Sequence, residues 1–469
     1  MLIASPSKLT ASQIFKQRFK PKSVEKEVTR KFSLKDGKGI DKINIEKFEE
    51  KKSENVKIIS TKCLNGDYKF SPYLEKLKLK GKNKIPRVIS IATIRDKVVL
   101  SLLKDVLHQA FPECKNTMLP NAYIREIKSF NFNVDLDKVN FIKVDIEKFF
   151  PTIKHDLLIK ILKKRIRSKK ILYLIASAIT NPTVCIGYKR ADRIKLKNKE
   201  GVPQGLSISN ILANIYLLEF DNNLIFKEFR YIRYVDDILM ISSTLNHEQL
   251  YELVLKETTN LKLELNPDKK VKGFLCDEYE YLGYKFKNEL ITVRHSTVNI
   301  FIQKLASKFT WFNYRLNDKS LPKWVKKDTN LLKNRFIDSI NQKITGAIDE
   351  KKKYGWIFYF IEINDLQLLY HLDLIINNFF KRQKAFDYKK PEDIKSFVKS
   401  YYQARHNPTS GYIHNYNNFD TKAKKEDLLK SFGILDPALA YSETEINIHY
   451  NKFKFDNIYE LDLDVGQLY

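Results

Sequence analysis

Residues 229–242 constrain the fold of this chain more than any other stretch. They read FRYIRYVDDILMIS, with apolar-rich runs on both sides of Tyr234-Val235-Asp236-Asp237. The flanks predict two short strands, and the tetrapeptide predicts the tight turn between them. Two adjacent carboxylates then sit at a hairpin tip. Like charges repel, and a turn buries such a pair poorly without a counter-ion. A divalent cation supplies one, since Mg²⁺ is held by a few carboxylates together with substrate phosphate oxygens. An exposed Asp-Asp turn between two strands is the alternative.

Asp145 bears on that choice. It closes FIKVD, inside a predicted buried strand over residues 140–146. A carboxylate there is costly to bury unless it is paired or metal-bound. Taken singly, it could equally be a turn or N-cap aspartate. Taken with the 234–237 turn, two strands can gather three carboxylates. That is the minimum for two metals ~3.5–4 Å apart around a transferring phosphoryl group.

A third element is Gly201-Val202-Pro203-Gln204-Gly205, followed by Ser207 and Ser209. Its glycines let backbone approach a ligand closely, and it opens a predicted helix from about Ser209 to Phe226. The plainer reading is a loop with Ser209 as N-cap.

Strands and helices interleave between residues 85 and 293. A strand is expected over 85–91 and a helix over 92–111, with Asp96 near its start. Helices are expected over 155–166, 170–180 and 247–262, a basic loop or hairpin over 189–199, and a pair of strands over 279–293. This alternation argues for one α/β or α+β unit. Gly37 and Gly39 punctuate a turn nearer the N-terminus. Residues 296–390 turn helical, basic and aromatic, and 391–433 are more polar. Residues 434–469 carry seven acidic residues against two lysines, and FKFDNIYELDLDV alternates like a half-buried strand. That acidic tail is either an interface with another copy or a strand packed within its own chain.

The chain has 469 residues and a net charge of +28, which favours polyanionic partners such as nucleic acid. Lysine enrichment at solvated surfaces fits the same charge. Hydrophobic residues reach 43%, which excludes disorder as the main state. Four scattered cysteines, with no C-x-x-C pair, argue against disulfides and a cysteine-rich zinc site. No secretory leader and no membrane-length apolar run is apparent. A cytoplasmic protein without membrane association is expected.

The order of these motifs is recognisable. Asp145 in DIEKFF, GVPQGLSISN, YVDD, Leu265-Asn266-Pro267-Asp268-Lys269 and Tyr281-Leu282-Gly283-Tyr284 together resemble the reverse transcriptase family. Residues 84–99 resemble the fingers block of group II intron and retron-type enzymes. The resemblance spans about 35–290. It implies an α+β right-hand polymerase of fingers, palm and helical thumb, with a C-terminal extension. The expected divisions are 1–140 for N-terminal extension and fingers, 141–293 for palm with inserted fingers elements, 294–390 for thumb, and 391–469 for the extension.

The resemblance also implies site roles. Asp145 and Asp236 would hold two catalytic Mg²⁺ ions, for which Mn²⁺ can substitute, with Asp237 assisting and the Ile146 carbonyl a further ligand. Phe150 falls at the family's aromatic steric gate, which favours dNTP over rNTP; Phe149 and Phe150 could each be the core ring. Gln204, Gly205 and Tyr234 would lie by the incoming nucleotide. Arg87, with Lys82 or Lys84, would meet the triphosphate, and Lys269 would donate a proton to pyrophosphate. Arg87 and Lys269 could instead be solvated charges.

No His/Cys nuclease motif follows the thumb region, no retron-type Val-Thr-Gly follows the palm, and residues 121–125 only loosely echo the group II pattern. A stand-alone bacterial, defence-associated reverse transcriptase is therefore expected. Its partners would be an RNA template, a noncoding RNA in this reading, with dNTPs and a DNA product. The C-terminal GYIHNY and LLKSFGIL segments resemble those of defence groups. Three other readings stay open: template-independent, protein-primed DNA synthesis; a silent RNA-binding protein; and an RNA-dependent RNA polymerase.

Overall fold

The apolar runs FIKVD and ILMIS become the two central strands of a sheet. The computed structural model describes residues 9–32, 38–79, 85–115, 118–131, 135–225 and 229–466. Gly37, Lys82 and Lys84 lie outside the described residues. The chain divides into two compact units: residues 1–118 with 138–273, and residues 119–137 with 274–469.

In the first unit the strands are β1 (Tyr73–Lys78), β2 (Arg87–Ile91), β3 (Asn140–Asp145), β4 (Thr183–Val184), β5 (Arg230–Tyr234), β6 (Asp237–Ser242) and β7 (Val271–Phe274). One sheet runs β5-β6-β3-β7 and a second runs β2-β1-β4. β3 and β6 are antiparallel, in register from Asn140↔Ser242 to Asp145↔Asp237. Their apolar side chains are almost wholly buried, from Phe141, Ile142 and Val144 to Ile238, Leu239, Met240 and Ile241. Helices His155–Lys163 and Lys169–Thr180 add Leu158, Ile161 and Ile175 to one core with Ile142, Val144, Ile238 and Met240.

The helix expected over 209–226 is divided into Ser209–Tyr216 and Leu218–Ile225. Leu217 breaks the run by leaving helical geometry, with ψ near 7°. Residues 189–199 form an exposed loop with a short 3₁₀ turn at Arg190–Arg193.

The helix Ile94–Ala110 follows β2 and is capped by Thr93. Asp96 is buried in its first turn, where it accepts bonds from the Tyr68 hydroxyl (2.7 Å), the Thr93 hydroxyl (2.8 Å) and the Ser71 amide (3.1 Å). Burial pushes its carboxyl up to about 6, against the lowering by those donors.

The second unit contains a three-stranded meander, β8 (Tyr279–Tyr281), β9 (Tyr284–Lys287) and β10 (Leu290–Val293), where two strands were expected. The extra turn falls at Leu282-Gly283, both at positive φ, and an apolar leucine gives no turn signal. Helices His295–Leu316, Asn330–Thr345 and Leu366–Phe380 interlock through Phe309, Phe312, Phe336 and Phe380. A small sheet interrupts the expected helical stretch: β11 (Ala347–Asp349), β12 (Lys352–Tyr354) and, from further on, β13 (His414–Asn415).

The tail corrects the sequence reading. Residues 443–466 form a helix, not a strand. Ile446, Tyr450, Phe453, Leu461 and Asp464 are buried, and their spacing is helical. The two-residue alternation in FKFDNIYELDLDV was a coincidence of composition. The tail's acidity meets basic helices of its own unit. Asp464 pairs with buried Lys343 at 2.7 Å and with Lys304 at 3.5 Å.

Candidate active site

The register Tyr234↔Asp237 leaves Val235 and Asp236 as a two-residue turn. Val235 sits at φ +57°. A β-branched residue rarely takes that conformation, which costs about 1–3 kcal/mol. Two hydrogen bonds hold the strained peptides. Arg233 Nη1 donates to the Val235 carbonyl (2.8 Å), and the Ile146 amide donates to the Asp236 carbonyl (3.1 Å). The second bond ties the turn to the residue after Asp145.

Asp145 and Asp237 face each other across β3 and β6, and Asp236 precedes Asp237. The strand pairing thus sets Asp145 opposite Asp237, and the turn keeps Asp236 within electrostatic reach of both. Burial pushes the Asp236 carboxyl above its usual range, and the nearby charge of Asp145 adds to the effect. Lys269 and Arg87 act the other way on Asp236, so both cations lie within electrostatic reach of it. Burial pushes Asp237 up to about 7, opposed chiefly by Lys143. Lys143 Nζ lies 3.6 Å from Asp237, and Lys269 Nζ donates to Asp145 at 2.8 Å.

Among the described residues, no three His, Cys, Asp or Glu side chains converge closely enough to hold an ion by themselves. The donor chemistry nevertheless fits Mg²⁺. All three groups are hard carboxylate oxygens, and burial makes the charge on Asp236 and Asp237 costly, a cost that a divalent cation would offset. Mg²⁺ needs one or two protein carboxylates when substrate phosphates complete its shell.

The glycine loop is fastened on both sides of this cluster. Gly201 N donates to Ile153 O and Val202 N to Phe150 O, each at 2.8 Å, while Ser90 N donates to Gln204 O at 2.7 Å. The loop therefore bridges the segment after Asp145 to β2, the strand that carries Arg87. Gly205 is exposed at φ +100°, close against Ile89 and Ser90. Ser209 is not an N-cap; it is the first helical residue, and its hydroxyl donates to Pro203 O at 2.6 Å.

Phe149 is the core ring and Phe150 is half-buried. Lys148 takes a left-handed conformation just before them, which starts the short helix Phe149–Thr152. The Ile146 side chain is fully buried, so only its backbone can serve a ligand. Gln204 and Tyr234 are half-buried, and burial raises the Tyr234 hydroxyl above its ordinary range.

Three contributors escaped the sequence reading: Lys143, Arg233 and Asp221. Lys143 and Arg233 interrupt apolar strands beside the acidic residues, and that interruption was the available signal. Asp221 lies in an ordinary helical stretch with no such mark.

Residues 78–286 match the family described as Reverse transcriptase (RNA-dependent DNA polymerase). Residues 78–286 thus carry a reverse transcriptase domain, the nucleotidyltransferase domain of RNA-directed DNA polymerases, set in a mixed α+β fold. Protein YkfC of Escherichia coli K12 is 24% identical over 294 residues, covering 53% of this chain and 75% of that protein. A putative COX1/OXI3 intron 1 protein of Saccharomyces cerevisiae is 29% identical, covering 35% of this chain and 19% of the relative. An uncharacterized 91 kDa protein in the cob intron of Schizosaccharomyces pombe is 33% identical, covering 29% and 16%. This chain thus spans less than a fifth of either intron protein. Among solved structures, telomerase from Candida albicans with a TWJ fragment of telomeric RNA has a TM-score of 0.45 and 13% identity, covering 90% of this chain and 65% of that one.

Proposed function

We propose that this chain copies a partner noncoding RNA into DNA, in antiphage defence, by two-metal phosphoryl transfer at Asp145, Asp236 and Asp237. The observation that carries the chemistry is the direct pairing of Asp145 with Asp237 across two buried strands, with Asp236 at the adjoining turn. The domain match supports the template and product classes. The defence setting rests on the resemblance of the C-terminal segments.

When bound, Mg²⁺ ions would neutralise charge on the phosphates and lower the pKa of the primer hydroxyl. Asp145 and Asp236 would hold them. Lys269, whose ammonium donates to Asp145, would protonate the leaving pyrophosphate. Arg87 would anchor the triphosphate from β2. Gln204 and Gly205 would floor the nucleotide pocket, since their loop is bonded to that same strand. Phe150 would exclude a ribose 2′-hydroxyl.

Sequencing of nucleic acid that co-purifies with wild type and with an Asp236→Ala, Asp237→Ala double variant tests this reading. A discrete RNA in both, with complementary DNA only in wild type, is expected. Homopolymeric or random DNA joined to protein would replace it with template-independent synthesis. Identical nucleic acid in both samples would remove the catalytic assignment.

A further inference from the structure

Arg233 is almost completely buried, with a side chain 9% exposed, beside a turn that should be unstable. All three of its guanidinium nitrogens donate hydrogen bonds. Nε donates to Asp221 Oδ1 at 2.7 Å and Nη2 to Asp221 Oδ2. Nη1 donates to the Val235 carbonyl at 2.8 Å and to Asn214 Oδ1 at 3.3 Å. The Tyr231 hydroxyl also donates to Asp221, at 2.6 Å. Asp221 lies on the helix Leu218–Ile225 and Asn214 on Ser209–Tyr216, so two helices fix one guanidinium.

We propose that Arg233, oriented by Asp221, is a positioning residue that holds the Val235-Asp236 turn in its left-handed form and thereby aims the Asp236 carboxylate toward Asp145. This rests on the polymerase reading above. Val235 would otherwise relax toward negative φ. Rotation of that peptide would swing Asp236, the next residue, away from β3. The Arg233 bond to the Val235 carbonyl opposes that rotation, and the Ile146 bond to the Asp236 carbonyl opposes it from the other side. Only a planar fork can grip a carboxylate by one edge and a carbonyl by the other; an ammonium is a single point of charge.

The test is a double-mutant cycle of Arg233→Lys with Val235→Gly. Lysine keeps the charge next to Asp221 and loses the fork. Glycine takes positive φ freely, so it removes the need for a restraint. Two readouts are followed: Mn²⁺ binding by electron paramagnetic resonance, and dNTP incorporation on a primed RNA. R233K is expected to weaken Mn²⁺ binding about tenfold or more and to slow incorporation about 100-fold, the loss expected from a displacement of ~1 Å. Adding V235G should restore most of both, which a general packing role for Arg233 would not allow.

Wild-type Mn²⁺ affinity in R233K, or losses that simply multiply in the double variant, would overturn the proposal. If R233K does not fold, Asp221→Asn with and without V235G repeats the cycle, with the same outcomes deciding. Wild-type protein that binds Mn²⁺ and loses it in R233K, yet incorporates no dNTP, would reject the polymerase reading and leave the positioning role standing.

Discussion

Gly205→Ala is a perturbation whose effect can be worked from the structure. The residue sits at φ +100°, and an added Cβ would lie 2.7 Å from Ile89 Cγ2 and 3.0 Å from Ser90 O. The left-handed backbone costs about 1–2 kcal/mol for a side chain. Relieving the clash means lifting the loop from β2, at the expense of the 2.7 Å bond from Ser90 N to Gln204 O. Losing that bond adds about 0.5–1.5 kcal/mol. The combined destabilisation is about 1.5–3.5 kcal/mol. A Gln204 displaced by ~1 Å should slow dNTP incorporation about 100-fold.

Gly187 supplies the control. Its φ is +92°, and an added Cβ meets nothing within 4 Å. Gly187→Ala should therefore cost no more than the backbone part and leave incorporation within about twofold. Urea unfolding reads the stabilities, and single-nucleotide extension on a primed RNA reads the rates. Equal losses in the two variants, in stability and in rate, would refute the argument from close approach.

Three further predictions follow from the packing. Phe150→Ala should erode discrimination against rNTP about tenfold or more while Phe149→Ala chiefly destabilises the fold; competitive incorporation of dNTP and rNTP checks this. Asp96, with its folded pKa raised to about 6, binds a proton that the unfolded chain has released above about 4. Its contribution is thus complete below about pH 4 and is lost as pH rises through about 6, a change on the order of 3 kcal/mol. Urea unfolding from pH 4 to 8 should show that downward slope in wild type and a shallower one in Asp96→Asn, the remainder coming from Asp237, which burial also raises. Asp464→Ala leaves Lys343 buried without its carboxylate and should cost about 3–5 kcal/mol by urea unfolding, more than Lys304→Ala, whose side chain is better solvated.

Much of the candidate site was legible because it depends on local pattern. The apolar runs around residues 141–145 and 230–242 specify strands, and the adjacent carboxylates between them can sit only at a strand end or its turn. The glycines at 201 and 205 were equally readable, since positive φ and close backbone approach leave few other residues. The tail was misread for the opposite reason. Between residues 453 and 465 the apolar residues fit a period of two, and only packing against Lys343 and its neighbours shows that the buried set follows a helix. The third strand of the 279–293 meander was missed because Leu282 occupies a turn that its side chain does not advertise.

What the sequence determined by itself was therefore the inventory: three acidic residues at strand ends, a glycine loop, two candidate aromatic rings and a basic surface. Periodicity and turn chemistry act over a few residues, so those features survive without tertiary information. The tertiary structure decided which groups meet. It placed Asp145 opposite Asp237, put Phe149 in the core and left Phe150 half-exposed, and set Lys269 on Asp145 and Lys143 beside Asp237. It also brought Asp221 and Asn214 from two helices onto Arg233. Such pairings depend on strand register and helix docking between residues far apart in the chain, and no local pattern encodes them.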